Sequence, residues 1–352
     1  MLIQNYQPTE FIDIRIRCAR CGSVTSTPGL GEDEILPRTA VPVASTMTPV
    51  VTASQVPRGT VLVCQEALTH RYAKARPRAV PDEPIPLTRA MIETAAADYD
   101  RLCGGRFADH AAASPPAMGD NHGDYPFAWA VLRLREQVGR PGWSWLHHND
   151  DAMAAMYVTS MHHLMRCWGD HPLLSRLAAP LRNRGRFLRS TAGFALAKLM
   201  FDGGNRVAFS LGGGDVDLHI TTADGAALSV ALLAPERLQW RERDRRSLDV
   251  FRHTVMDAMG AAQPQVNRGA PGIVALAVSI LQPDFDQMVV DAIHAAFQSV
   301  GRRHRGIAAI AIVMPKVLPA GQPDRLVFGY AFYPIVNPNF AGNNPVRVHA
   351  AP

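Results

Sequence analysis

Apolar and polar residues alternate over residues 11–17 (Phe, Ile, Asp, Ile, Arg, Ile, Arg), the period of a strand with one face buried. A second strand-like run covers residues 60–64, after the turn signal Pro57-Arg58-Gly59. Residues 75–86 carry four prolines in twelve positions, which predicts a linker closing a β- and loop-rich module over residues 1–86. From residue 87 the period becomes that of helices. Runs over 89–102, 127–138, 150–168 and 173–201 carry helical patterns, the last broken near Pro180 or Gly185. Thr88 is placed to cap the first run, its hydroxyl accepting from a first-turn amide. Residues 87–185 therefore read as a helical segment.

Beyond residue 202 strands and helices alternate. Residues 206–211, 215–221 and 227–234 are short strands, joined at Gly212-Gly213-Gly214 and Ala223-Asp224-Gly225, both hairpin signals. A helix over 247–259, an apolar strand over 273–281 and a helix over 285–301 follow. Strands over 307–314 and 326–335 close the pattern. Hairpins succeeded by strand–helix–strand units predict an α/β domain over 186–352, a mixed sheet with flanking helices.

Length and composition narrow the class. A chain of 352 residues, 47% hydrophobic and 19% charged, has room for two or three domains and is neither collagen-like, coiled-coil nor wholly disordered. The longest strongly apolar run, 273–281, is nine residues, about half of a membrane span. Residues 1–17 lack a signal-like apolar core, and five cysteines are an odd number too sparse for a disulfide scaffold. The expectation is a soluble cytoplasmic protein with no membrane partner.

The net charge of +5 is made almost entirely with arginine: only Lys74, Lys198 and Lys316 are lysines among the 36 basic residues. Arginine forks suit phosphate, which would fit a nucleic-acid partner, and a G+C-rich coding sequence would give the same bias. Arg182, Arg184, Arg186 and Arg189 form one group, and Arg302, Arg303 and Arg305 another. Arg237, Arg241, Arg243, Arg245 and Arg246 are interleaved with Glu236, Glu242 and Asp244, as on a solvated salt-bridged face.

Two clusters offer metal ligands. Cys18-x-x-Cys21-Gly22 can bite one zinc ion at a tight turn, with Cys64 and His70 as the nearest further ligands; a reduced thiol pair is the alternative. His147-His148-Asn149-Asp150-Asp151, His162-His163, Cys167 and His171 form the second. His163, Cys167 and His171 are spaced four apart, so they share a helix face as far as the helix runs, but Gly169 and Pro172 predict that it ends before His171. The plainer reading caps a helix with Asn149 or Asp150 and leaves the histidines at packing contacts.

The order of elements over about 186–345 resembles the restriction-endonuclease-like, PD-(D/E)XK, superfamily. There a helix leads into a three-stranded meander, then a helix, a strand and further strands. Asp217 matches the family's first acid. The third strand, Leu228-Ser229-Val230-Ala231-Leu232-Leu233-Ala234, has Ala231 where the acid belongs and Leu233 where the lysine belongs. The resemblance implies a magnesium-dependent phosphodiesterase site at Asp217, with Asp215, Glu236 or Lys198 as the groups able to stand in for the missing ones. Gly203-Gly204, a ten-residue gap and Asp215-Val216-Asp217 also look like the nucleotidyltransferase pattern, whose third carboxylate is absent from 228–234. The expected function is that of a nucleic-acid-associated protein on a degenerate, inactive nuclease-like core. The alternative is a metal-dependent enzyme, a phosphodiesterase, hydrolase or nucleotidyltransferase, using Asp215 and Asp217 or the His147–His171 cluster.

Overall fold

The computed structural model describes residues 14–17, 24–26, 72–80, 83–114, 124–211, 218–222, 225–239, 247–266, 271–279, 285–300, 304–320, 324–341 and 346–348. Three short strands, β1 (Ile14–Arg17), β2 (Val24–Ser26) and β11 (Val346–Val348), form a small antiparallel sheet in the order β11-β1-β2. The other eight form one mixed sheet. They are β3 (Tyr72–Lys74), β4 (Ile85–Pro86), β5 (Arg206–Ser210), β6 (Leu218–Thr221), β7 (Ala227–Leu233), β8 (Gly272–Ala277), β9 (Ile307–Pro319) and β10 (Arg325–Val336). The order across the sheet is β3-β5-β6-β7-β8-β9-β10-β4. β5, β6 and β7 are an antiparallel meander, β7-β8-β9 run parallel, and β9-β10 is a long antiparallel hairpin.

Helices cover both faces. Residues of α1 (Arg89–Cys103), α2 (Phe107–Ala112), α3 (Pro126–Gln137), α4 (Asn149–Trp168), α5 (Leu174–Leu177) and α6 (Phe187–Asp202) pack on one face, around Phe127, Tyr157, Trp168, Phe194 and Phe209. On the other, α7 (Leu248–Val266) and α8 (Phe285–Val300) bring Phe251, Val255, Met259, Ile293 and Phe297 against the middle strands. β8 is buried along its whole length: Ile273, Ala275 and Ala277 face the first layer, Val274 and Leu276 the second. A parallel strand buried on both faces reads as a continuous apolar run rather than an alternating one.

The ends of the helices follow local chemistry. Thr88 Oγ1 accepts from the Met91 amide at 3.2 Å, and α1 stops at Gly104, whose φ of 71° places it in the left-handed region. The expected helix 173–201 is interrupted as Pro180 and Gly185 indicate, into α5, a 3-10 turn (Ala179–Arg182) and α6, with Gly185 at φ 68°. α4 departs from expectation at its start. Its cap is His148, without a side-chain bond to the first turn, and Asn149 and Asp150 lie inside the helix. α7 runs past residue 259, through Pro264 to Val266. β8 stops at Ala277, before the expected 281, whereas β9 continues to Pro319. The β8-β9 pairing ends at Val313, so Pro315, which has no amide to donate, lies beyond it.

The proline-rich stretch expected to be a linker has both ends in the sheet. β3 pairs with β5 at one edge and β4 with β10 at the other. Between them the Ala75 amide donates to Val207 O and the Arg78 amide to Cys167 O; past β4, the Leu87 amide donates to Asp324 O. Arg78 also pairs with Asp170. Proline suits such a strap because it favours extended backbone and gives up donors that a single-file segment does not use. Among the described residues no helix is long and apolar enough to cross a membrane.

Candidate functional site

Strand β7 carries the positions that the resemblance assigns to catalysis. Leu228, Val230 and Leu232 face the layer of α4 and α6, so Ala231 faces the other way. Ala231 is 1% exposed and sits in the apolar cluster with Leu238, Phe251 and Val255. Leu233, partly buried, packs against the same cluster. Helix α7 therefore covers the place where an acid and a lysine would hold metal and water. Asp215 and Asp217 lie outside the described residues. Glu236 is exposed in the 3-10 turn Glu236–Leu238 after β7. Lys198 is on α6, paired with Asp202 one turn on, and α6 packs on the opposite face of the sheet from Ala231. The structure does not bring Lys198 to the α7 side.

The histidine cluster separates into three environments. His147 and His148 are exposed beside a cleft of about 430 Å³ that Arg133, Asn149 and Asp150 also line. Arg133 is held there by the buried Asp151 at 2.6 Å and by Asp150 at 3.5 Å, while Trp143 Nε1 donates to the second oxygen of Asp151 at 3.0 Å. One turn before the end of α4, His163 Nε2 lies 3.4 Å from Cys167 Sγ and its ring lies against Phe328 and Tyr330. Burial first, then the nearby Lys198 and Arg166 cations, pushes His163 down to about 4. Its partner thiol is 1% exposed. A neutral imidazole beside a buried thiol is not the ion pair that a thiolate nucleophile needs, and the contact is one of packing.

His171 has left the helix. Its Nδ1 accepts from the Leu173 amide at 3.2 Å, which fixes the proton on Nε2, and Nε2 donates to Lys74 O at 3.0 Å. This histidine ties the end of α4 to edge strand β3. Among the described residues no three His, Cys, Asp or Glu side chains are placed to hold one metal ion. Cys18, Cys21, Cys64 and His70 lie outside the described residues.

A group that sequence reasoning missed stands on the meander. Ala73 and Ala75 are buried in the first layer, so Lys74 and Arg76 project from the other face of the strap's first strand, both exposed. On β5, Val207 and Phe209 are buried and Arg206, Ala208 and Ser210 occupy the outer face. Lys74 is the register partner of Ala208, and Ala208 of His219 on β6, which in turn faces Ser229 on β7. The Ala75 amide bond to Val207 O continues the β3-β5 contact by one step; Arg76 is the next residue of the strap, and Arg206 precedes Val207 on β5. Along this face the described strand positions of β3, β5, β6 and β7 contain no Asp or Glu. The signal was present as the alternation Ala73-Lys74-Ala75-Arg76, which merges with the proline-rich composition that follows it.

No protein-family model, no curated protein and no solved structure matches this chain.

Proposed function

We propose that this chain is a cytoplasmic, nucleic-acid-associated protein whose α/β core, a degenerate relative of the restriction-endonuclease-like fold, binds without cutting. The observation that carries the reading is the apolar sealing of β7: Ala231 and Leu233 pack against α7 where phosphodiester chemistry would place a carboxylate and a lysine. The element order supports the fold assignment. A helix, an antiparallel meander, a helix and a strand parallel to the third meander strand follow one another as α6, β5-β6-β7, α7 and β8. The partner is argued from charge. A net +5 carried largely by guanidinium groups favours phosphate over other anions, because the planar fork matches its oxygens.

In this reading Cys18 and Cys21, with Cys64 and His70, hold a structural zinc, and magnesium has no resident site. The test is paired binding and cleavage by the full chain. Labelled duplex DNA, single-stranded DNA and RNA should bind with affinity that falls steeply with salt, through release of counterions. The same substrates should stay intact in Mg²⁺ or Mn²⁺. Absence of binding even at low salt, or metal-dependent cleavage, would remove the reading.

A further inference from the structure

We infer that the outer face of β3 and β5, presenting Lys74, Arg76 and Arg206, is the surface that contacts the phosphodiester backbone; this rests on the nucleic-acid reading above. Three observations meet there. First, Arg76 and Arg206 adjoin one hydrogen-bonded step, Arg76 following Ala75 and Arg206 preceding Val207, whose carbonyl accepts from the Ala75 amide. Like charges gathered on neighbouring strands repel. A fold keeps such a pair at low cost when an anion sits between the two guanidinium groups. Second, among the described residues these cations have no carboxylate counter-ion. Arg78, Arg101, Arg133, Arg135 and Arg184 each have a carboxylate partner, whereas Lys74, Arg76 and Arg206 have no described ion pair. Third, the surface is shaped for a backbone. Beside the cations on β5 stand Ala208 and Ser210, small side chains that leave this edge of the sheet low, with the His219 ring next to Ala208 on β6.

The spacing suits successive phosphates. Lys74, the last residue of β3, and Arg76 are two residues apart along the strap, about 7 Å by the rise of an extended chain. Arg76 and Arg206 together form a two-fork site for one phosphate, and Lys74 meets the next. Nothing in the described part of this face reads base edges, so the contact is independent of sequence. α7 and α8 cover the middle strands of this side, and the basic face lies on the flank they leave open.

The full-length chain is tested with a fluorescein-labelled mixed-sequence duplex across a salt series. Arg76→Gln with Arg206→Gln should weaken binding about tenfold at low salt and reduce the slope of log K against log salt by about two. Removing two mutually repelling charges should leave the thermal midpoint unchanged or higher, which separates a lost contact from a lost fold. A second readout needs no variant. Only three lysines exist, so acetylation of the native protein followed by mass spectrometry reports each one. Bound duplex should protect Lys74 and leave Lys316 as reactive as before. Parent binding that the double variant matches in affinity and slope, or Lys74 acetylated equally with and without duplex, overturns the inference and leaves the nucleic-acid reading standing. Protection of Lys74 by polyglutamate or phosphatidylserine vesicles at concentrations where duplex gives none overturns the partner. No binding by the parent at low salt removes both.

Discussion

The Asp151 carboxylate, 1% exposed, accepts from Arg133 Nε at 2.6 Å and from Trp143 Nε1 at 3.0 Å, joining the first turn of α4 to α3 and to the loop before it. Two donors depend on one buried acceptor. Asp151→Ala should therefore cost about 3 kcal/mol, the lower end for breaking a buried charge pair, since Arg133 keeps some contact with water and with Asp150. Urea unfolding of the parent and variant measures it. A loss under about 1 kcal/mol would mean that the network contributes little.

Placing an acid on β7 should harm the protein rather than create a nuclease. Ala231→Asp would bury a carboxylate in an apolar cluster with Phe251 and Val255, a cost on the order of 4 kcal/mol. Circular dichroism melts should show a lowered midpoint, and plasmid incubated with the variant in Mg²⁺ should remain supercoiled. Asp217→Ala should leave cleavage at the same background as the parent. A stable Ala231→Asp protein that nicks plasmid would show that α7 yields to a metal site.

Acid should destabilise the fold through His163. Its side chain titrates near 4 in the native state and near 6.5 when unfolded. Between those values the unfolded chain binds the extra proton, so stability is complete above pH 6.5 and falls as pH drops towards 4, by about 3 kcal/mol in all. His162 and His219, also lowered by burial, add smaller slopes of the same sign. Denaturant midpoints at several pH values should show the decline, and His163→Gln should flatten most of it. An unchanged slope in the variant would assign the acid sensitivity elsewhere.

The alternation of residues along the chain makes much of this architecture readable, and its failures have a common cause. Thr88, Pro180 and Gly185 act through bonds and dihedrals within a few residues, so their effects on α1 and on the break before α6 are local and legible. The meander is equally local, since its strands follow one another within a few residues of sequence. β8 was placed but misjudged in length, because a strand buried on both faces has no polar beat to mark its end. His148 capping α4 in place of its polar neighbours reflects a choice among adjacent candidates that tertiary packing makes. β3 and β4 were not legible at all. Each is two or three residues long and owes its existence to partners far away in the sequence, and the prolines between them carry the signature of a linker. The basic face went unseen for that reason, since half of it stands on β3.

Zinc and thiol chemistry test the N-terminal expectation. Purified protein should carry about one equivalent of zinc, bound through Cys18 and Cys21 with Cys64 and His70. Cys103 and Cys167, both buried, should resist alkylation in the native state, and burial pushes the Cys103 thiol up to about 11, which slows it further. Chelation should release the other thiols to alkylation without exposing these two. Less than a tenth of an equivalent of zinc, with Cys18 and Cys21 freely alkylated beforehand, would refute the site.

Truncation tests whether residues 1–86 can be separated from the rest. A chain of residues 87–352 lacks β3 and β4, and so uncovers β5 and β10, the strands next to the two edges of the sheet. Exposed edges pair with other chains. The fragment should aggregate on purification, whereas a chain beginning at residue 72 should remain dispersed. A monomeric, cooperatively melting 87–352 fragment would show that the strap is dispensable.

The strap also sets an order of events on the ribosome. Ile85 is made about 240 residues before its register partner Leu326, and Tyr72 waits for Ser210. The helices α1 to α6 can gather as they emerge, but one border of the sheet cannot close until Arg325 and Leu326 are out. Nascent chains therefore pass through an interval in which a helical half is assembled while the hairpin that receives β4 does not yet exist. Completion depends on joining residues far apart in sequence, a slow step that leaves strands uncovered meanwhile. The proline-rich crossing suits that delay: an extended segment poor in amide donors is a weak partner for stray strands during the wait.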